Sequence, residues 1–298
     1  MSRLLQEKDL PAVTLVCNRA MPLDHFFVEL LHEKTFGDNN YDKNLNLVEE
    51  NDGAIVGFAS GVVRQRKGEK VGFTKLLAVN PDFREKGIGF QLLSELETKF
   101  RELGCVKARI MDSAPNYFMP GLDYRYTEGT CLLQKAKYTR DGVSLNLIAD
   151  LQYFPIDHSE EIRQCEEKGV QIRRALPSDK EASLAMVARE WTSWIPEVEA
   201  TFRHDPVTLF IGLKDNQVVG FSAYDSNNVR TGWFGPMGVL PEYRKFGIGQ
   251  IVCKLCLAEI KKQGFHTSVI PWVGPVRFYS KVCGARNDRT FWTYEKEL

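Results

Sequence analysis

No stretch of this 298-residue chain approaches the roughly 20 consecutive apolar residues that a membrane-spanning helix requires. The opening residues, Met1-Ser2-Arg3-Leu4-Leu5-Gln6-Glu7-Lys8-Asp9, lack the apolar run of a secretory signal. Net charge is missing as well. Lys and Arg number 39, Asp and Glu number 39, and the sequence pI is near 7.0. Duplex nucleic acid demands a strongly basic footprint, so only a local basic patch remains open to it. Seven cysteines, an odd number scattered through a long chain, suit a reducing compartment better than a disulfide framework. The cytoplasm is the expected location, with neither membrane nor nucleic acid as partner. Cys253 and Cys256 have half the spacing of a zinc or redox site. No second pair stands at ligand spacing, so both read as core cysteines of a helix and no metal is expected.

Two glycine motifs are absent too. A Walker-type loop needs Gly-Lys-Ser/Thr, which the chain lacks at its glycine turns. A dinucleotide fingerprint needs a third glycine, and Leu92 and Val252 stand at that position.

What the chain does have is a repeat. Val79-Asn80-Pro81-Asp82-Phe83-Arg84-Glu85-Lys86-Gly87-Ile88-Gly89 returns as Val239-Leu240-Pro241-Glu242-Tyr243-Arg244-Lys245-Phe246-Gly247-Ile248-Gly249. The offset, 244 − 84 = 160, also relates Gly104 to Gly264. Length favours two domains, and 43% hydrophobic with 26% charged residues provides for two cores. The expected division is 1–151 for a first domain, 152–169 for a charged connector and 170–298 for a second domain.

Each copy sits in the same local order. In the second half, strands are expected at 208–213 and 218–224 around an Asn216-Gln217 turn, then at 232–239, running into the glycine turn. Ile248, Ile251, Val252 and Leu255 have helical spacing, and Gly264 suits the residue after that helix. A strand at 266–272, a short helix at 275–283 and a strand at 289–295 follow. In the first half, strands at 45–49 and 54–63 flank Asp52-Gly53, a strong hairpin turn. A strand at 71–79, a helix ending at Gly104, and strands at 106–111 and 142–150 complete the unit. Mostly antiparallel strands with inserted helices give an α+β fold.

The turn itself suits a pyrophosphate. A helix N-terminus presents unpaired N–H groups and partial positive charge, glycines let an anion approach, and Arg244 with Lys245, or Arg84 with Lys86, adds full charges. Arg-x-x-Gly-x-Gly after a strand ending in Val-x-Pro resembles the GNAT superfamily of acyl-CoA-dependent N-acetyltransferases, here as two tandem GNAT-like domains, each a mixed, mostly antiparallel sheet flanked by helices. The resemblance covers most of 45–150 and nearly all of 170–298. It implies acetyl-CoA as cosubstrate and a small-molecule or peptide amine as acceptor. It further implies that the amides of Lys245, Phe246, Gly247, Ile248, Gly249 and Gln250 hold the pyrophosphate beside Arg244. Met237, Gly238 and Val239 would pair with the pantetheine arm. Val79, Arg84, Gly87 and Gly89 are the weaker first-domain equivalents.

Attack of a neutral amine on a thioester needs a proton acceptor, a donor for the carbonyl oxygen and an acid for the departing thiolate. Val276-Arg277-Phe278-Tyr279-Ser280-Lys281-Val282-Cys283-Gly284 resembles the family's tyrosine-bearing helix and makes Tyr279 the expected acid, although one extra residue precedes the glycine. The Val239 N–H is the expected carbonyl donor. In the first half Leu133 stands where Tyr279 stands, with Tyr117, Tyr124 and Tyr126 nearby. The second domain is therefore expected to be catalytic and the first degenerate. The strand 232–239 carries no carboxylate, which leaves Asp225, Glu190, His204 or a water chain as the base. All five tryptophans lie in the second half, and Trp191 and Trp194 fall in the helical region that the family uses for acceptor contact. Two other readings stand beside the acetyltransferase: a CoA-binding sensor or scaffold without turnover, and an acyltransferase with a different acyl donor.

Overall fold

The computed structural model describes residues 2–298. Strand pairing and packing divide the chain into two compact units. The first holds the residues up to Ser144 together with Thr290–Leu298, and the second holds Leu145–Arg289. In chain order the first unit contains β1 (Ser2–Leu4), α1 (Leu10–Ala20), α2 (Val28–Lys34), β2 (Asn46–Asn51), β3 (Ala54–Arg66), β4 (Glu69–Val79), α3 (Ile88–Glu102), β5 (Lys107–Ile110), β6 (Leu122–Asp123) and α4 (Thr127–Lys135). It ends in the first half of β7 (Thr139–Asp150). β1 to β4 are successive antiparallel neighbours, and β5 joins β4 in parallel. A parallel neighbour needs a crossover, which α3 supplies.

The second unit takes the rest of β7, then α5 (Ser159–Glu166), β8 (Val170–Arg174), α6 (Lys180–Glu190), α7 (Ile195–Thr201), β9 (Leu209–Lys214), β10 (Gln217–Tyr224), β11 (Phe234–Val239), α8 (Ile248–Lys262), β12 (Thr267–Ile270) and α9 (Val276–Cys283). β13 (Arg286–Glu297) starts here and ends in the first unit. β8, β9, β10 and β11 are antiparallel neighbours. The α+β reading holds for both units. No helix among the described residues is long and apolar enough to cross a membrane.

The same two devices shape each unit. Arg3 of β1 clamps Asp9 at 2.6 and 3.0 Å, and Arg173 of β8 clamps Asp179 at the same distances, tying β1 to the start of α1 and β8 to the start of α6. The second device is close approach. A Cβ at Gly212 or Gly220 would lie 2.6 or 2.8 Å from Ile248 Cγ2, and one at Gly57 would lie 2.9 Å from Ile88 Cγ2. Bare strands thus let the first residue of α8 and of α3 sit directly on the sheet.

The units depart from the expected ranges at both ends. The strand ending at Asp150 was expected to close the first domain. Instead its residues from Leu145 lie in the second unit, where Leu147↔Ile270 to Asp150↔Thr267 pair antiparallel with β12. The chain's last strand was expected to close the second domain, yet Glu295, Lys296 and Glu297 pair with Arg109, Ala108 and Lys107 of β5. Phe291 and Tyr294 are buried there. The expected connector belongs to the second unit, where Lys254 of α8 holds Glu161 of α5 at 2.9 Å. Hydrogen-bond partners decide membership, and two repeats with equivalent strand slots can fill them in exchanged order.

The first unit also buries charge. Lys75 of β4 donates to Asp38 at 2.5 Å and to the Lys34 carbonyl at 2.7 Å. Arg64 of β3 grips both Asp38 oxygens at 2.8 and 2.6 Å. Burial penalises the Asp38 charge, but the Arg64 hydrogen bonds and the Lys75 charge outweigh it and hold the carboxyl well below its usual range. Lys75 is the member that yields. Burial, opposed by Asp38 and reinforced by Lys34 and Arg64, lowers it from 10.5 to about 7.

Two outcomes are expected. Deleting Thr290–Leu298 should abolish hydrogen-exchange protection of Lys107–Ile110 while Leu209–Lys214 and Gln217–Tyr224 stay protected; equal loss in both units would contradict the exchange. Between pH 7 and 10.5 the unfolded chain holds a proton that folded Lys75 has released, so raising pH favours folding. In urea unfolding, Lys75→Met should lose that gain. Its stability relative to the parent should fall by up to about 1.4 kcal/mol per pH unit through that window. A pH-independent difference would contradict the depressed lysine.

Candidate active site

In the second unit the site begins with a strand register. Gly220↔Val239, Phe221↔Gly238 and Ser222↔Met237 pair, and the next pair is Tyr224↔Phe234. Ala223 thus faces two residues, Gly235 and Pro236, which is a β-bulge on β11. The Leu240 amide donates to the Val219 carbonyl at 3.0 Å, which makes Gly220/Val239 a non-hydrogen-bonded pair. The amide and carbonyl of Val239 therefore point away from β10, and by alternation so do those of Met237. Those of Gly238 are turned to Phe221.

On that far side β12 does not follow. The two strands touch at one parallel bridge, Trp233↔Val269, where the Val269 amide donates to the Gly232 carbonyl at 3.0 Å. From Phe234 onward no ladder joins β11 to β12 among the described residues. The result is a gap lined by outward main-chain groups at Met237 and Val239.

The gap leads to the glycine turn. Gly247 has φ 85° and ψ 0°, left-handed geometry that a side chain would strain. Among the described residues, the amides of Gly247, Ile248 and Gly249 have no backbone acceptor, while Gln250 donates to the Gly247 carbonyl at 3.1 Å. Three amides thus converge at the positive end of a 15-residue helix. A Cβ on Gly249 would meet Val239 Cγ2, Met237 Cε and Phe278 Cζ at 3.4, 3.5 and 3.7 Å. Any larger side chain would reach into the space that strand and α9 share. Arg244 is exposed, with Nε 3.3 Å from the Val239 carbonyl, and Lys245 is exposed over the Phe246 ring at 5.6 Å.

Tyr279 stands at the other end of the gap. It is buried, with its ring edge-on to Phe234 at 5.8 Å and 81° and to Phe278 at 5.1 Å and 84°. Phe234 is the residue at which the gap opens. Burial, with the thiols of Cys253, Cys283 and Cys256 nearby, pushes the phenol well above its usual range, so it remains protonated. The extra residue of the motif falls after Tyr279. Gly284, with φ 64°, closes the lengthened last turn and Ala285 donates back to the Tyr279 carbonyl at 3.4 Å.

Across the sheet from α8, Trp191 and Trp194 stack at 5.4 Å and 14°, and both meet Phe221 edge-on. The six-membered ring of Trp191 lies 2.7 Å from where a Gly238 Cβ would be. Gly238 is thus the seat of an aromatic side chain, a role that the glycine pattern did not announce. The expected bases are dispersed. Asp225 is buried and accepts from the Arg230 amide at 2.9 Å and the Gln263 side chain at 2.8 Å, so it braces a loop. Glu190 is exposed at the end of α6, and His204 follows α7 half-buried.

The first unit repeats the frame and changes the contents. Ser60↔Leu76 and Gly61↔Thr74 leave Lys75 as the bulged residue, and the Asn80 amide donates to the Val56 carbonyl at 2.8 Å, which turns the Val79 amide outward. β4 and β5 part after Thr74↔Ile110. Gly87 has φ 83°, and a Cβ on Gly89 would meet Leu132 and Val79 at 3.5 Å each. Leu132 therefore occupies the place of Phe278, and Leu133, buried, that of Tyr279. Arg84 is engaged by Glu128 at 2.9 Å and the Ala20 carbonyl at 3.0 Å, which puts a carboxylate beside the turn. Tyr126 donates to Asp24 at 2.6 Å, Tyr124 is exposed and Tyr117 is buried. Sequence reading passed over the Lys75 network. Its signal was a lysine inside the apolar run Phe73-Thr74-Lys75-Leu76-Leu77.

Comparison with known proteins agrees with this fold. An acetyltransferase of Yersinia enterocolitica is 39% identical over 100 residues, 32% of this chain and 67% of that one. Among solved structures, the GCN5-related glucosamine N-acetyltransferase region of a fungal multi-domain GH3 β-N-acetylglucosaminidase superposes with TM-score 0.81 at 19% identity, covering 99% of this chain and 38% of that one. A tandem GNAT protein from the clavulanic acid biosynthesis pathway superposes with TM-score 0.65 at 14% identity, covering 100% and 98%. The profile of the acetyltransferase (GNAT) family matches residues 17–117 and again 171–285, and the chain therefore belongs to that family, with two copies of its fold in tandem.

Proposed function

We propose that the second unit transfers an acetyl group from acetyl-CoA to an amine, and that the first unit is a degenerate copy. One observation carries this reading: outward main-chain groups at Met237 and Val239 connect an open helix N-terminus at Gly247–Gly249 to a protonated phenol at Tyr279. The turn amides and Arg244 would hold the diphosphate. Val239, nearest the turn, would meet the carrier's arm first. Met237 lies two residues deeper, about 7 Å along the strand toward Phe234. The carbonyl donor would accordingly be the Met237 N–H, in place of the Val239 N–H expected from sequence. Tyr279 would protonate the departing thiolate, and a water chain would take the amine's proton. The contrast with the first unit supports the asymmetry, since Leu133 cannot donate a proton and Glu128 places negative charge at its turn.

The acceptor to try first is an amino sugar. The fungal region of matching fold carries glucosamine N-acetyltransferase in its description, and the stacked Trp191 and Trp194 offer aromatic surface beside β11. Thiol release from acetyl-CoA across a panel of amino sugars, polyamines and peptides tests the reading. Calorimetric uptake without thiol release would instead favour a sensor, and preference for longer acyl-CoA species a different donor.

Two variants sharpen the test. Tyr279→Phe should lower kcat about 10²–10⁴-fold while calorimetry shows acetyl-CoA still bound. Unchanged turnover would remove the phenol from the chemistry. Gly249→Val should fill the space beside Met237 and Phe278 and weaken acetyl-CoA binding about tenfold or more, while the far-ultraviolet spectrum stays that of the parent. Undiminished affinity would place the carrier elsewhere.

A further inference from the structure

The first unit carries an amine where the second carries bare backbone. Lys75 and Gly235 stand at the same place in the repeat, 235 − 75 = 160, and each lies in the bulge of the strand that leads to its glycine turn. β4 and β5 part after Thr74↔Ile110, so the gap of the first unit opens at Lys75. The Lys75 side chain is 1% exposed, and among the described residues its Nζ has two acceptors, Asp38 at 2.5 Å and the Lys34 carbonyl at 2.7 Å. Asp38 also accepts from Arg64 at 2.8 and 2.6 Å and from the Asn116 amide at 3.2 Å. Fully charged, two cations would share one carboxylate. Arginine keeps its proton in a protein, so Lys75 is the member that gives one up. Its fall to about 7, caused first by burial, agrees. A neutral amine has two N–H groups and one lone pair. Both N–H groups have acceptors here, which leaves the lone pair unengaged. In the same cluster the Ser113 carbonyl accepts from Arg64 Nε at 3.3 Å. The Ser113 hydroxyl and that of Thr74 are buried with no hydrogen-bond partner among the described residues. Buried donors without acceptors, close to an unprotonated nitrogen, suit an incoming carbonyl group.

We propose that Lys75 is a self-acylation site, whose amine takes the acyl group of a thioester lying in the gap of the first unit. Nζ attacks the thioester carbonyl carbon. The C–N bond forms, the C–S bond breaks, and the proton lost by nitrogen leaves with the sulfur as free thiol. The products are a lysine amide and a thiol, with nothing oxidised or reduced. The amide retains one N–H, so Asp38 keeps a donor. A desolvated lysine is an activated nucleophile, and burial at the end of the gap keeps water from competing for the acyl group. Leu133 offers no acid to the departing thiolate, and the acceptor is part of the chain. The reaction is therefore slow and runs once per molecule, which fits a unit that has lost turnover. The donor class rests on the transfer proposed for the second unit, whereas the reactive amine does not.

The test incubates the full chain with acetyl-CoA at neutral pH, folded and in urea, and follows each lysine by peptide mass. The folded chain should gain one acetyl group at Lys75, about tenfold or more faster than at the exposed Lys67 and Lys137, and urea should remove that preference. Gly89→Val, which crowds Leu132 and Val79, should slow acetylation of Lys75 about tenfold while Lys67 and Lys137 react as before. Acetyl groups at exposed lysines alone, or a Lys75 rate no higher than theirs, would overturn the site. A Lys75 rate untouched by Gly89→Val would overturn delivery through the gap. The two proposals fail separately. Lys75 acetylation without turnover on any amine would leave this site standing and remove the second unit's transfer. Turnover on an amine with Lys75 unmodified would do the reverse.

Discussion

Both candidate clefts depend on how closely a helix can approach a sheet. Ile248 occupies the volume that side chains at Gly212 and Gly220 would fill, and Ile88 does the same over Gly57. Because the first residue of the helix touches the strands, its unpaired amides end level with the outward main-chain groups of Met237 and Val239. A thicker layer would lift the helix end away from the strand edge. Separate the two and neither an anion nest nor an open strand edge would hold an extended, diphosphate-bearing ligand. The bulge and the non-hydrogen-bonded register then direct the strand's groups into the gap instead of into β10.

The two units show how one frame diverges. Backbone geometry is common to both, including positive φ at Gly87 and Gly247 and bulges at corresponding points of β4 and β11. Side chains differ where chemistry would occur. Gly235 and Pro236 bulge in the second unit, with an aromatic stack over Gly238. Lys75 bulges in the first, tied to buried Asp38, which Arg64 also grips.

Much of this was legible in the amino-acid string, for a definite reason. Glycine turns, hairpins and helical spacing are local, so a repeat at offset 160 announced two copies of one fold, while the grouping of Gly247, Gly249, Met237 and Val239 came from the family resemblance. Trp191 upon Gly238 was not readable, because the residues are 47 apart and the contact is set by how α6 ends. Nor was the exchange of final strands. The segments before Asp150 and before Glu297 are interchangeable in pattern, and only long-range pairing chooses between β5 and β12.

The returning strand has a consequence for synthesis. Translation delivers residues in order, and domains ordinarily fold as they emerge, the earlier before the later. Here the earlier-made sheet waits for Thr290–Leu298, while Leu145–Arg289 has all its own strands sooner. The nascent chain must carry β5 with one edge bare until Thr290–Leu298 has emerged from the ribosome, and the half made second is the half that can finish first.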